Sequence, residues 1–94
     1  MYVKIHEANK RIVVAICDED LIGKTFSDKE KQLIVTERFY KGEILPEEEV
    51  IQIMQEAENL NLVGKKTIDF ALKNNIISKD SVIKIGRVPH AQIY

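Results

Sequence analysis

The sequence predicts an α+β domain: a small, mostly antiparallel sheet of three or four strands with two helices on one face, in the order β-β-β-α-α-β. Three observations carry this. The chain opens on a period-two alternation at residues 3–6, followed by the β-branched run Ile12 to Cys17. A strong helix start stands at Pro46. A second amphipathic stretch is followed by a short β-branched run near the end.

Val3 and Ile5 alternate with Lys4 and His6, as in a half-buried strand. Ala8-Asn9-Lys10 supplies a turn, and Ile12 to Cys17 is a β-branched run suited to a more central strand. Asp18-Glu19-Asp20 sends the chain into water. Leu21 to Phe26 returns as a short extended piece bent at Gly23. Ser27 and Glu30 have capping-box spacing, which predicts one helical turn. Gln32 to Tyr40 is the third predicted strand, with Leu33, Val35 and Phe39 inward, and Lys41-Gly42 closes it.

Pro46 opens the first helix, and Glu47, Glu48 and Glu49 complement its positive end. Val50, Ile53, Met54 and Ala57 form its apolar stripe, and Asn59 to Leu62 ends it. A second helix is predicted from about Gly64 to Lys73, burying Ile68, Ala71 and Leu72, with Asn74-Asn75 as its stop. Ser78 to Ser81 is a turn and Val82 to Ile85 the last strand. The tail Gly86 to Tyr94 contains a proline and is expected to be ordered only at its start.

At 94 residues the chain is expected to fold as one domain, residues 1–94. Its net charge of -1 argues against a protein dominated by nonspecific nucleic-acid binding. The charge is uneven, however. Residues 1–42 carry net +1, residues 43–58 net -6 and residues 59–94 net +4, so an acidic helix precedes a basic last third. Cys17 is the only cysteine, so no intramolecular disulfide forms. With His6 and His90 as the two histidines, an ordinary Cys-based zinc site is out of reach. No metal and no cofactor is expected. The longest apolar run, Ile12 to Cys17, is far short of the ~20 residues that span a bilayer. The first residues lack the pattern of a signal peptide. The expected setting is the reducing cytoplasm, without membrane contact.

Gly23-Lys24-Thr25 has the ending of a phosphate loop, but Asp18 stands where that loop needs its first glycine. Cys17 within a strand reads as a small hydrophobe rather than a nucleophile. Asp18-Glu19-Asp20 on an extended segment point in alternating directions and cannot easily converge on one cation. Lys65-Lys66 at a helix start oppose the dipole preference. With Gly64 ahead and free N–H groups at that end, they could meet a phosphate or carboxylate. The most specific stretch is Gly86-Arg87-Val88-Pro89-His90-Ala91-Gln92, which joins a flexible glycine and a rigid proline to three long polar groups.

Taken with Gly23-Lys24-Thr25-Phe26, Phe39-Tyr40, Gly42 and Asn61-Leu62-Val63-Gly64, this closing Pro-His-Ala-Gln element resembles a small archaeal domain-of-unknown-function family, number four hundred and twenty-four. The likeness covers nearly the whole chain. It implies an archaeal cytoplasmic protein of one domain and brings with it neither an activity nor catalytic residues. The family pattern often has a second glycine where this chain has Arg87.

Three functional readings follow, in order. The first is a non-catalytic accessory module associated with RNA, a ribonucleoprotein or the translation machinery, with Lys65, Lys66, Arg87, His90 and Gln92 as binding residues. Its geometry would set the tail beside Lys65 and Lys66 as one positive surface, with a protonated His90 that releases polyanions as pH rises. The second is a protein-interaction module that offers the acidic helix 46–58 to a basic partner or to another copy of the chain. The third is a small enzyme using His90 with Cys17 or a nearby glutamate, although no spacing demonstrates a base–nucleophile pair.

Overall fold

A computed structural model describes residues 1–94. Strands β1 (Tyr2–Ala8) and β2 (Arg11–Cys17) form the opening hairpin, in register from Tyr2 opposite Cys17 to Ala8 opposite Arg11. Asn9 and Lys10 join them with φ values of +52° and +64°, a mirror-image turn whose twist matches the strands.

After a 3₁₀ turn at Glu19–Leu21, β3 (Thr25–Ser27) and β4 (Gln32–Ile34) make a separate two-stranded hairpin. The predicted helical turn at Ser27–Glu30 is instead an Asp28 turn, in which Oδ1 accepts from the N–H of Glu30 at 3.1 Å and of Lys31 at 2.9 Å. The third predicted strand stops at Ile34. Thr36 then caps a helical turn, α1 (Glu37–Tyr40), its Oγ1 accepting from the N–H of Phe39 at 3.1 Å.

A two-residue strand, β5 (Glu43–Ile44), pairs with the start of β1 and carries the chain round the sheet edge. Helix α2 (Glu47–Glu56), strand β6 (Asn59–Val63) and helix α3 (Lys65–Lys73) follow. The chain ends in β7 (Ile83–Ile85) and β8 (Val88–Ile93). Gly86 and Arg87 join these two strands at φ +52° and +75°, a second mirror-image turn. A glycine at Arg87's position would hold that conformation without the steric cost an arginine meets.

The main sheet is larger than predicted; it is mostly antiparallel, as expected, with one parallel pair that makes it mixed. Its six strands run β5-β1-β2-β6-β8-β7, with β2 and β6 parallel. Beside the short edge strand β5, two segments make the difference. Asn59 to Leu62 is not a helix stop but the start of β6, which lies between β2 and β8. The tail is not loose but strand β8 as far as Ile93. Pro89 fits there because its carbonyl accepts from Gly64 N–H at 2.9 Å, where β6 has already given way to α3. Its missing donor therefore falls beyond the last rung of the β6 ladder.

Side-chain alternation divides the core into two layers. Val14, Ile16, Leu60, Leu62 and Ala91 face α2 and α3, where Val50, Met54, Ile68 and Ala71 meet them. Ile53, Ala57 and Leu72, expected inside, lie only partly buried against this layer. Ala15, Cys17, Val63, Ile85 and Val88 face the other way, under Leu33, Val35 and Tyr40 of the hairpin and α1. The two longer helices thus share one face, as predicted, and the second face has its own cover.

Cys17 has no exposed surface. Burial first, then the neighbouring Asp18 carboxylate, pushes its thiol from 9.0 up to about 12. A thiol reagent should therefore label native protein far more slowly than denatured protein; equal rates would contradict the packing. The raised value also fixes the sign of an alkaline effect. The folded chain keeps its proton where the unfolded chain loses it, so this contribution is complete below about pH 9 and fades as pH rises towards about 12.

Candidate binding cleft

Beta alternation places three polar side chains on the hairpin face of the sheet. On β6, Leu60 and Leu62 point to the long helices, so Asn61 points the other way with Val63. On β8, Ala91 belongs to the helix side, which puts His90 and Gln92 on the hairpin side. The register sets Asn61 opposite Gln92 and Val63 opposite His90, so all three polar side chains share one patch.

The hairpin leaves part of this patch uncovered as a cleft of about 450 Å³. Leu33, Ile83 and Ile85 supply its apolar lining; Asn61, His90, Gln92 and the hydroxyl of Tyr40 supply polar groups; Lys31 and Gln32 come from the hairpin. Two of these side chains are held firmly. The Tyr40 hydroxyl donates to Asn61 Oδ1 at 2.6 Å. His90 Nδ1–H donates to the Leu62 carbonyl at 2.9 Å. Burial lowers the His90 pKa below its usual 6.5, and the positive charge of Lys31 adds to this. At neutral pH the ring is therefore neutral, and with Nδ1 carrying the proton, Nε2 presents a lone pair. The expectation of a protonated His90 gripping anions is corrected accordingly.

The other predicted binding residues lie elsewhere. Arg87 occupies the β7–β8 turn at the sheet end. Lys65 and Lys66 are exposed at the start of α3, which packs on the opposite face of the sheet from His90. The tail does pass beside that helix start, through the bond from Gly64 N–H to Pro89, but the five residues do not form one surface. Nor is the α3 N-terminus open to an anion. Asp18, expected in a solvated turn, is buried there, and its carboxylate accepts from the N–H of Lys66 at 3.0 Å and from the N–H and hydroxyl of Thr67, both at 2.8 Å. The chain fills its own anion site. Asn61 and Tyr40 entered the sequence reading only as carriers of the family likeness and Lys31 not at all, so none was named as a binding residue; only the Asn-Leu-Asn-Leu alternation of residues 59–62 could have marked the first of them.

A second groove, of about 360 Å³ along β1 and β5, is lined by Val3, Lys4, Ile5, Gly42, Glu43 and Leu45 and lacks a comparable convergence of polar side chains. No three His, Cys, Asp or Glu side chains gather to hold a metal ion. The salt bridge in the molecule joins the amino terminus to Glu19 at 3.2 Å, so the glutamates of α2 and the lysines of α3 do not neutralise each other by direct pairing.

The closing segment that builds the cleft lies within the reach of a known family. The family model described as "Protein of unknown function (DUF424)" matches residues 6–94. The fold is also similar to that in a crystal structure of an uncharacterized conserved protein from Methanopyrus kandleri. That likeness has a TM-score of 0.80 at 27% identity, over 99% of this chain and 89% of that one. No curated protein matches the chain. Because the family model spans every strand that forms the cleft, from β2 to β8, the chain belongs to the DUF424 family.

Proposed function

We propose that the protein is a non-catalytic module that binds single-stranded RNA through the cleft on the hairpin face. The observation that carries this reading is the convergence of two carboxamides, Asn61 and Gln92, with a neutral imidazole beside an apolar lining and a lysine. Carboxamides and imidazoles hydrogen-bond base edges, apolar side chains suit base faces, and lysine suits phosphate. A cleft of about 450 Å³ suits one or two nucleotides, and the net charge of -1 argues against a protein dominated by nonspecific electrostatic binding. A catalytic role for Cys17 has no support, since its thiol is sealed and held protonated.

Fluorescence anisotropy with short labelled oligoribonucleotides at low salt tests the reading. Lys31→Ala and Gln92→Ala, both at exposed side chains, should each weaken binding about 5–20-fold through one lost polar contact. Lys65→Ala and Lys66→Ala, across the sheet, should change it much less. Absence of binding to any oligomer, or a larger effect from the α3 lysines than from Lys31 and Gln92, overturns the proposal. The second reading, a docking face for a basic protein on α2, draws on the unpaired Glu47, Glu48 and Glu49. Nuclease-resistant capture of one basic protein, lost when these glutamates become glutamine, would favour it.

A further inference from the structure

We infer that Asn61 and His90 form a fixed donor–acceptor pair that reads the edge of a nucleobase, with Tyr40 as the positioning residue that sets its polarity. The inference rests on the RNA reading and names what the cleft recognises in that ligand.

The polarity follows from bonds inside the protein. An asparagine amide can present either its oxygen or its nitrogen, and the two choices are opposite in hydrogen-bond sense. Here the choice is made by Tyr40, a core residue whose hydroxyl donates to Oδ1 at 2.6 Å. Asn61 is left to offer Nδ2–H as a donor. The opposite choice is made for His90. Its Nδ1–H is spent on the Leu62 carbonyl, so Nε2 can only accept in the neutral ring. Neither Asn61 Nδ2 nor His90 Nε2 has a partner within the protein, and no unpartnered polar side-chain atom is sealed from solvent. Both groups are therefore open to a ligand.

Their placement suits one flat ligand. Asn61 pairs with Gln92 and Val63 with His90, so Asn61 and His90 are diagonal neighbours on adjacent antiparallel strands, roughly 7–8 Å apart at their backbones. A planar heterocycle that turns one edge towards this pair meets a donor and an acceptor side by side. Each nucleobase carries an N–H next to an acceptor on its pairing edge, which is the complementary pattern. Leu33, Ile83 and Ile85 line the cleft beside this pair, where the base face would rest. Lys31 stands at the cleft for the attached phosphate. A simple anion would use Lys31 alone and leave this polarity unused.

The test compares four ligands by anisotropy: oligouridine, the same oligomer methylated at each N3, an abasic ribose-phosphate oligomer, and uridine monophosphate by competition. Methylation removes the ring donor that Nε2 accepts, and the abasic oligomer removes the edge altogether. Both should bind at least tenfold more weakly than oligouridine. Tyr40→Phe keeps the aromatic packing and the cleft's charge but frees Asn61 to turn over. It should weaken oligouridine about 3–10-fold, one hydrogen bond's worth of orientation, and leave the abasic oligomer unchanged. Should Tyr40→Phe prove unfolded by circular dichroism, the methylated ligand tests the same contact with the native chain. Equal affinity for abasic and base-bearing oligomers overturns the inference and leaves the RNA reading standing. No binding of any oligomer overturns both. A monophosphate bound as tightly as the oligomer supports the edge-reading pair but assigns the ligand to free nucleotides rather than RNA.

Discussion

Asp18→Ala is expected to lower the stability of the fold by about 3–4 kcal/mol, with a fall of roughly 12–32 °C in melting temperature for a domain of this size. The buried carboxylate accepts three hydrogen bonds, from Lys66 N–H, Thr67 N–H and the Thr67 hydroxyl. Alanine leaves the first turn of α3 without its acceptor, and Thr67, which has no exposed surface, cannot turn to water. An ordinary cap on an exposed helix is worth about 1 kcal/mol. The larger figure reflects the charge and burial of this one, whose side chain ties the end of β2 to the start of α3 through Lys66 and Thr67. Urea unfolding of both proteins checks it. A loss near 1 kcal/mol would mean that the site is wet and that Asp18 acts only as a surface cap. Asp18→Asn should fall in between, because its amide oxygen serves one donor while its nitrogen opposes another.

What the sequence made legible was the local part of the fold. Pro46 and the three glutamates after it announced α2, and the alternation in β1 and the β-branched run in β2 announced the first hairpin. The errors came where a distant partner decided the outcome. Asn59 and Asn61 look like helix stops, yet tertiary pairing with β2 and β8 makes them strand residues. Pro89 argues against a strand until Gly64 is seen to take up its carbonyl. The cleft shows the same division. His90 and Gln92 could be named from the chain because they sit together in one polar stretch with a fixed backbone. Asn61 and Tyr40 join them across 21 residues or more, which no local pattern encodes. Asp18 was misread for the same reason, since its partners Lys66 and Thr67 lie 48 and 49 residues away.

Gly64→Ala should be as damaging as the loss of Asp18, at about 3–5 kcal/mol, and for a reason that couples the two positions. Gly64 turns from β6 into α3 at φ +110° and ψ 155°, a conformation open to glycine and costly for any residue with a Cβ. A Cβ there would also strike the Asp18 carboxyl carbon and lie 2.7 Å from Oδ1. The carboxylate cannot simply withdraw, because its oxygens are held by Lys66 and Thr67. The substitution therefore adds backbone strain and disturbs the bonds that Asp18→Ala removes. A double-mutant cycle separates these contributions. Removing the carboxylate first makes room for the new methyl group, so Asp18→Ala with Gly64→Ala should cost about 1–2 kcal/mol less than the sum of the single changes. Additive costs would show that backbone strain alone accounts for the glycine. A Gly64→Ala protein with native stability would mean that the β6–α3 junction adopts another backbone path, and the close approach of Asp18 to Gly64 would then be wrong.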